Sequence, residues 1–348
     1  MPCFCPNPVV ILGDRYMPLS SHGVKNGILF CGRNTEKVVV YDKLLHKNVT
    51  ILPDQFSYVK CGQCSGCRLA ESVEKANRCT LETYSHRTNY FLTLTYDDQH
   101  LPFNHKVDLE TGEVLDEIVP TLKREDIVNF NKSLRDYLDY HGLIYEDESP
   151  MKIMYCGELG SRTLRPHYHG IYCGLKIPDL QYYKTTFNGD ILYNSPMINK
   201  IWKKGHVVIG QADWQSAAYV ARYVMKKHKG KDKDFYWLNC MQPEFCQCST
   251  HLGKEYYELN KDKIFESDKI ILPDKQKGFR QITPPKTFSS WFEAESPEDF
   301  ERIKSKRQEN AKALMELELS KTSLGLYDYL ETKRLNFEER IKALKRSL

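Results

Sequence analysis

Arg165-Pro166-His167-Tyr168-His169-Gly170-Ile171-Tyr172-Cys173 is the stretch on which the fold turns. From His167 to Cys173 it reads as a β-strand. Residues two apart in a strand share a face, so His167 and His169 project together, ~6–7 Å apart along the backbone. Both imidazoles are then close enough to meet one ion. The pattern equally suits two histidines on a polar sheet face, and a His-x-His pair needs a third ligand before it makes a metal site.

A candidate third ligand lies upstream. Glu158 closes a strand running from Lys152, and residues 159–166 make a hairpin-sized connection to the histidines. Antiparallel pairing would bring Glu158 beside them, unless it is simply a surface residue at a strand end. Two imidazoles and one carboxylate leave coordination positions open and suit Mg²⁺ or Mn²⁺ better than a closed zinc cage. Further upstream, Tyr90 to Tyr96 reads as a strand with Phe91, Thr93 and Thr95 on one face and Leu92, Leu94 and Tyr96 on the other. Residues 104–120 read as a turn-rich excursion. Lys123 to His141 has the apolar spacing of a helix, through Ile127, Phe130, Leu134, Tyr137 and Leu138.

Downstream, Ile191 to Trp202 reads as helix and connector, His206 to Ile209 as a strand, and Trp214 to His228 as a helix. That helix carries Tyr219-Val220-Ala221-Arg222-Tyr223-Val224-Met225-Lys226-Lys227. At 100° per residue, Trp214, Ala217, Ala221, Val224 and Met225 cluster on one side. Tyr219 and Tyr223 fall on the opposite side with Lys226 above them. A phenol, with its ordinary pKa near ~10, needs a cation or a base to act as a nucleophile. Arg222, Lys226 and Lys227 supply cations. Two tyrosines packing at an interface with wet hydroxyls would look the same.

The net charge is only +4, but eight Lys/Arg between positions 200 and 231, Lys203 and Lys204 among them, face the single acid Asp213. Such a local basic patch can hold phosphates, or it can be a plain solvated surface. No apolar run approaches the length of a membrane helix. Met1-Pro2-Cys3-Phe4-Cys5 lacks the features of a secretory signal, so the cytosol is the expected location. The 12 cysteines should then be reduced, which favours metal ligation or burial over disulfides. Cys61, Cys64 and Cys67 have CxxCxxC spacing, and Cys3 and Cys5 could complete a tetrahedral zinc site; a Gly-rich turn with partly buried thiols is the plainer reading. Cys240, Cys246, Cys248 and His251 form a looser group.

Taken together, Phe91-Leu92-Thr93-Leu94-Thr95-Tyr96, Arg165-Pro166-His167-Tyr168-His169 and Tyr219 to Lys227 resemble, in that order, the three motifs of the HUH endonucleases. The two-tyrosine form resembles the initiators of small circular single-stranded DNA phages. Cys61-Gly62-Gln63-Cys64-Ser65-Gly66-Cys67-Arg68-Leu69 is similar to the replication proteins of gokushovirus-type microviruses. The resemblance spans Lys60 to Lys227. It implies an α+β fold with a central antiparallel sheet of ferredoxin-like or RRM-like topology, the tyrosine helix packed across it. It implies a rolling-circle initiator that nicks and rejoins one strand through a 5′-phosphotyrosine. Tyr219 and Tyr223 would be the nucleophiles, with Lys226 assisting. His167, His169 and Glu158 would hold Mg²⁺ or Mn²⁺, and Arg165, Lys203, Lys204, Arg222 and Lys227 would contact DNA. Single-stranded and origin DNA, a host helicase and the host DNA polymerase would be partners, in the bacterial cytoplasm. Arg222 departs from the Lys that often sits between the tyrosines of such phages: it keeps the charge but has no amine to deprotonate.

The expected organisation is an N-terminal Cys-rich region and helix (1–85), the endonuclease domain (86–233), a Cys- and Tyr-rich appended region (234–290) and a C-terminal helical extension (291–348). A helix start at Ser296-Pro297-Glu298-Asp299 opens that extension, with apolar stripes through Phe300, Ile303, Leu314 and Leu317, then Leu330, Phe337, Ile341, Leu344 and Leu348. A rival reading is a non-catalytic RRM-like module that stacks bases on Tyr168 and Tyr172. A plasmid initiator or transposase of the HUH class is another.

Overall fold

The computed structural model describes residues 3–160, 163–226, 234–274 and 278–344, with backbone alone for 223–226, 274 and 341–344. The architecture is α+β with antiparallel sheets. The chain forms two compact units, Glu71–Ala313 and the pair of segments Met1–Ala70 and Leu314–Leu348.

The larger unit is built on a seven-stranded sheet. Its elements in chain order are β1 (Asn89–Tyr96), α1 (Arg124–Tyr140), β2 (Lys152–Leu159), β3 (Pro166–Cys173), β4 (Gln181–Thr185), β5 (Ile191–Asn194), α2 (Pro196–Trp202), β6 (Gly205–Gln211), α3 (Trp214–Lys226) and β7 (Phe245–Cys248). The strands lie in the order β4-β5-β6-β1-β3-β2-β7, and each neighbouring pair is antiparallel. The four central strands and two helices thus follow a β-α-β-β-α-β path.

Alternation along the strands gives the sheet two different faces. One carries Leu92, Leu94, Tyr96, Tyr168 and Tyr172, buried against Ile127, Phe130 and Leu134 of α1 and Ile198 and Trp202 of α2. Its buried hydroxyls are satisfied: Tyr96 donates to Asp126 (2.7 Å), Tyr168 to the Lys123 carbonyl (2.8 Å) and Tyr172 to Asn131 (2.7 Å). The other face carries Met154, Cys156, Ile171 and Cys173, under Ala217, Val220 and Ala221 of α3 and Ala76 and Cys79 of the helix Ser65–Glu82. A capping box starts α3: the Ser216 amide donates to the Asp213 carboxylate and the Asp213 amide to the Ser216 hydroxyl, both at 2.8 Å.

Local chemistry sets several boundaries away from their sequence-based positions. The helix expected from Arg68 begins at Ser65 and ends at Glu82, followed by a 3-10 turn, Thr83–Ser85. The excursion at 104–120 is a hairpin of Phe103–Val107 and Val114–Pro120. The Asp108 carboxylate closes its turn by accepting from the amides of Glu110 and Thr111. Within 191–202, Ser195 separates strand from helix, because its hydroxyl caps the Ile198 amide at 3.1 Å and Pro196 opens α2.

In the smaller unit, short strands enclose Val10, Leu12, Val40, Ile51 and Phe56. Of the apolar stripe after Gly325, Leu330 is buried, and the Phe337 ring of the helix Leu326–Leu344 sits 5.3 Å from that of Phe4. The side chains of Ile341 and Leu344, and Leu348 altogether, lie outside the described residues. In the helix Pro297–Leu319, Phe300 is buried, but Leu314 and Leu317 are exposed, so that stripe is not docked along its whole length.

Candidate active site

Strand register brings the site together. Glu158 of β2 lies opposite His167 of β3, and Cys156 opposite His169. On the other flank of β3, Thr95 and Thr93 of β1 lie opposite His167 and His169. All six positions therefore share one sheet face.

His169 is the centre of the cluster. Its Nδ1 is 3.0 Å from the Thr93 hydroxyl, and its Nε2 is 3.6 Å from a Glu158 carboxylate oxygen. The Phe91 ring stacks on it at 5.7 Å, and the His167 ring lies parallel to it at 6.4 Å. The Nδ1 of His167 is buried with no hydrogen-bond partner among the described residues. Burial holds the His167 imidazole below its ordinary pKa, so that ring is neutral and has a lone pair to offer near pH 7.

From α3, Tyr219 sets its ring edge-on to His169 at 5.0 Å and to Phe91 at 6.1 Å. Burial, reinforced by the negative potential of Glu158 and Cys156, pushes its phenol well above the usual range, while Arg222 pulls the other way. Among the described side chains of α3, Ala217, Val220 and Ala221 are buried, and Tyr219 packs against that cluster. The tyrosine is thus not opposite the core, as helical spacing suggested. Trp214 is half-buried instead, donating to Asn77 at 3.0 Å. The sheet beneath determines which side of the helix faces inward. The side chains of Tyr223, Val224, Met225 and Lys226 and the whole of Lys227 lie outside the described residues, although Tyr223 and Lys226 belong to the backbone of α3.

The structure thus gathers Glu158, His167, His169 and Tyr219, with Arg222 near enough for its charge to act on the phenol. Lys203 and Lys204 are not part of that cluster, whereas the charge of Arg165 acts on His167. Arg165 bonds the Tyr96 carbonyl at 2.7 Å and pairs with Asp98 at 2.7 Å. Lys204 pairs with Asp126 at 3.5 Å. Lys203 and Lys204 help line a cleft of about 510 Å³ between residues of α1 and α2, on the side of the sheet away from the histidines. Sequence reasoning gave no role to Phe91 and Thr93; strand alternation put them on one face together, but only the register showed that it is the histidine face. Tyr168 and Tyr172, which a base-stacking sheet would need, are fully buried.

Two imidazoles and a carboxylate are a mixed N/O donor set, but the ligand atoms of His167, His169 and Glu158 do not all lie within 4.8 Å of one another. Among the described residues, the sulfurs of Cys3, Cys61, Cys64 and Cys67 are the set of potential ligands that lies wholly within 4.8 Å, a group that could hold zinc. Cys5 is not in that set; it bonds the Arg33 side chain. Nor does the looser group form a site. Cys240 packs on the large-residue face, Cys246 and Cys248 on the small-residue face, and His251 beside Trp291.

The family described as Replication-associated protein ORF2/G2P matches residues 89–228. The chain is 32% identical over 336 residues to Replication-associated protein ORF2 of Spiroplasma virus 4, spanning 95% of this chain and 97% of that one. The chain belongs to this family of phage replication-associated proteins. It is 30% identical over 266 residues, 76% of each chain, to Replication-associated protein VP4 of Bdellovibrio phage phiMH2K. Against Replication-associated protein ORF4 of Chlamydia phage 1 it is 31% identical over 231 residues, 65% of this chain and 52% of that one. These are gokushovirus proteins, as the sequence resemblance implied. No solved structure matches. The family match begins at the first residue of β1 and takes in Glu158, both histidines and α3. Among the described residues, no helix of this replication-associated protein is long and apolar enough to cross a membrane.

Proposed function

We propose that this replication-associated protein initiates rolling-circle replication as an HUH-type endonuclease, nicking and rejoining single-stranded origin DNA. The observation that carries the reading is the convergence of His167, His169, Glu158 and Tyr219 on one sheet face. The β-α-β-β-α-β path, with a tyrosine-bearing helix lying across the small-residue face, supports the same fold assignment.

His167, His169 and Glu158 would hold Mg²⁺ or Mn²⁺, which supplies Lewis-acid polarisation of the scissile phosphate. Thr93 and Phe91 fix the His169 ring on its edge and its face. Tyr219, or Tyr223 one turn along, attacks phosphorus. A tyrosyl O–P bond forms as the P–O3′ bond breaks, the 5′ end stays on the protein, and the 3′-OH is free to prime synthesis. The phenolic proton must leave to solvent, and the Arg222 charge favours the phenolate against the burial that opposes it; Lys226 would assist as a second cation. The phosphotyrosine conserves the phosphodiester energy, so a 3′-OH can reverse the step and close a circle. Two tyrosines allow a second cleavage while the first still carries DNA. Arg165, Arg222, Lys203, Lys204 and Lys227 would contact the phosphates, and a host helicase and DNA polymerase would extend the product in the bacterial cytoplasm.

The test is incubation with Mn²⁺ and single-stranded DNA fragments tiling the genome that encodes the chain. One fragment should yield a protein–DNA adduct that survives SDS. Tyr219→Phe and Tyr223→Phe should each keep adduct formation, and the double variant should lose it at unchanged melting temperature. A folded double variant that still forms the adduct ends this mechanism.

A further inference from the structure

The CxxCxxC segment lies in the smaller unit, outside the span matched by the family. There the sulfurs of Cys3, Cys61, Cys64 and Cys67 all lie within 4.8 Å of one another. Those of Cys3 and Cys64 are 3.9 Å apart. A tetrahedral zinc with Zn–S bonds of ~2.3 Å requires S···S separations of about 3.8 Å. A disulfide would need ~2.05 Å, and all four cysteines are free.

The surrounding backbone is already arranged for thiolates. The Cys61 amide donates to the Cys3 sulfur at 3.3 Å, the Gln63 and Cys64 amides to the Cys61 sulfur at 3.4 and 3.3 Å, and the Cys67 amide to the Cys64 sulfur at 3.5 Å. Hydrogen bonds from neutral donors to an ionised acceptor favour the charged form. Gly62, at φ +73°, gives the left-handed turn that folds these amides back onto the sulfurs. Cys67 follows in the first turn of the helix Ser65–Glu82.

The unit also needs a staple. Among the described residues its main apolar cluster has five buried members, Val10, Leu12, Val40, Ile51 and Phe56, with Phe4, Val9 and Leu330 buried besides. Cores that small seldom hold a fold without a crosslink or a metal. Strand Asn7–Ile11 already pairs with Ser57–Val59, so a bond from residue 3 to residues 61–67 would lock the two ends of the same loop.

We propose that Cys3, Cys61, Cys64 and Cys67 bind one structural zinc ion as four thiolates, and that Cys5 is not a ligand. The site ties the start of the chain to the helix that leads into the larger unit. This stands independently of the nicking reading.

Full-length protein purified without chelator should contain about one zinc per chain by elemental analysis. Exchange for Co²⁺ should give the intense visible bands and near-ultraviolet sulfur charge transfer of tetrahedral tetrathiolate cobalt. Cys5→Ser should keep the full zinc content and the cobalt spectrum. Cys3→Ser and Cys64→Ser should release zinc to a chromophoric chelator at least tenfold faster. Wild-type protein with no zinc, with iron in its place, or with these thiols paired as disulfides overturns the proposal. So does a Cys5→Ser variant that loses metal. If the Cys3 variant fails to fold, the wild-type cobalt spectrum and Cys5→Ser still decide the matter.

Discussion

The two faces of the seven-stranded sheet are made by alternate residues of the same strands, yet they are built on opposite principles. Toward α1 and α2 stand large side chains, Leu92, Leu94, Tyr96, Tyr168 and Tyr172, with the tyrosine hydroxyls satisfied. Toward α3 stand thiols, threonines, two imidazoles and a carboxylate beside Met154 and Ile171, and α3 meets them with Ala217, Val220 and Ala221. Small residues let a helix come close to a sheet, and close approach is what sets Tyr219 against His169. A single sheet can therefore devote one surface to cohesion and the other to chemistry, because side-chain direction alternates with period two.

If that division holds, substitutions on the two faces should have opposite signatures. The largest effect is expected on the histidine face. His169→Ala should slow Mn²⁺-dependent cleavage at least about 100-fold while changing the melting temperature little and leaving salt-sensitive DNA binding intact, since phosphate contacts carry affinity. Cleavage rates and thermal melts on the same preparation check this; unimpaired cleavage would remove His169 from the site and with it the division of faces.

On the opposite face the expectation reverses. Leu94 is fully buried, and Leu94→Ala should cost about 2–5 kcal/mol of stability with cleavage per folded molecule nearly unchanged. Denaturant titration gives the first quantity and active-site titration by adduct yield the second. A stable Leu94→Ala protein that cannot cleave would show that the two faces are not separable.

The smallest effect belongs to the junction ahead of both faces. Burial alone would depress the His86 imidazole, but hydrogen bonds and charge from Glu82 (3.0 Å) and Glu148 (3.3 Å) outweigh it and raise its pKa. A raised folded-state value means that this interaction stabilises fully below the ordinary imidazole pKa of ~6.5 and is lost as pH climbs through the raised value. The stability advantage of wild type over His86→Gln should therefore shrink with rising pH above neutrality. Parallel melting curves for the two proteins would refute the assignment.

Much of this was legible in the sequence because it depends on local periodicity. Alternation in Tyr90 to Tyr96 assigned Leu92 and Leu94 to one face and Phe91 and Thr93 to the other before any tertiary contact was known. His-x-His put two imidazoles on one surface, and the hairpin-sized gap after Glu158 allowed a pairing that could bring the carboxylate beside them; the register then places it opposite His167. The CxxCxxC spacing signalled a thiolate knuckle, since a Gly-containing turn of that length can return its amides to its sulfurs.

What tertiary structure alone decided is what depends on a partner surface. Helical spacing could not tell that α3 buries Val220 and turns Tyr219 toward the sheet, because the docked face follows the shape of the sheet below. Cys3 entered the sulfur cluster and Cys5 did not, because the irregular segment ahead of the strand Asn7–Ile11 leaves one beside Cys64 and the other beside Arg33. Lys203 and Lys204, part of one basic run in the sequence, ended on the side of the sheet away from the histidines because α2 packs on that face. Proximity along the chain specifies which residues can share a surface; only the packing of elements distant in sequence specifies which surfaces meet.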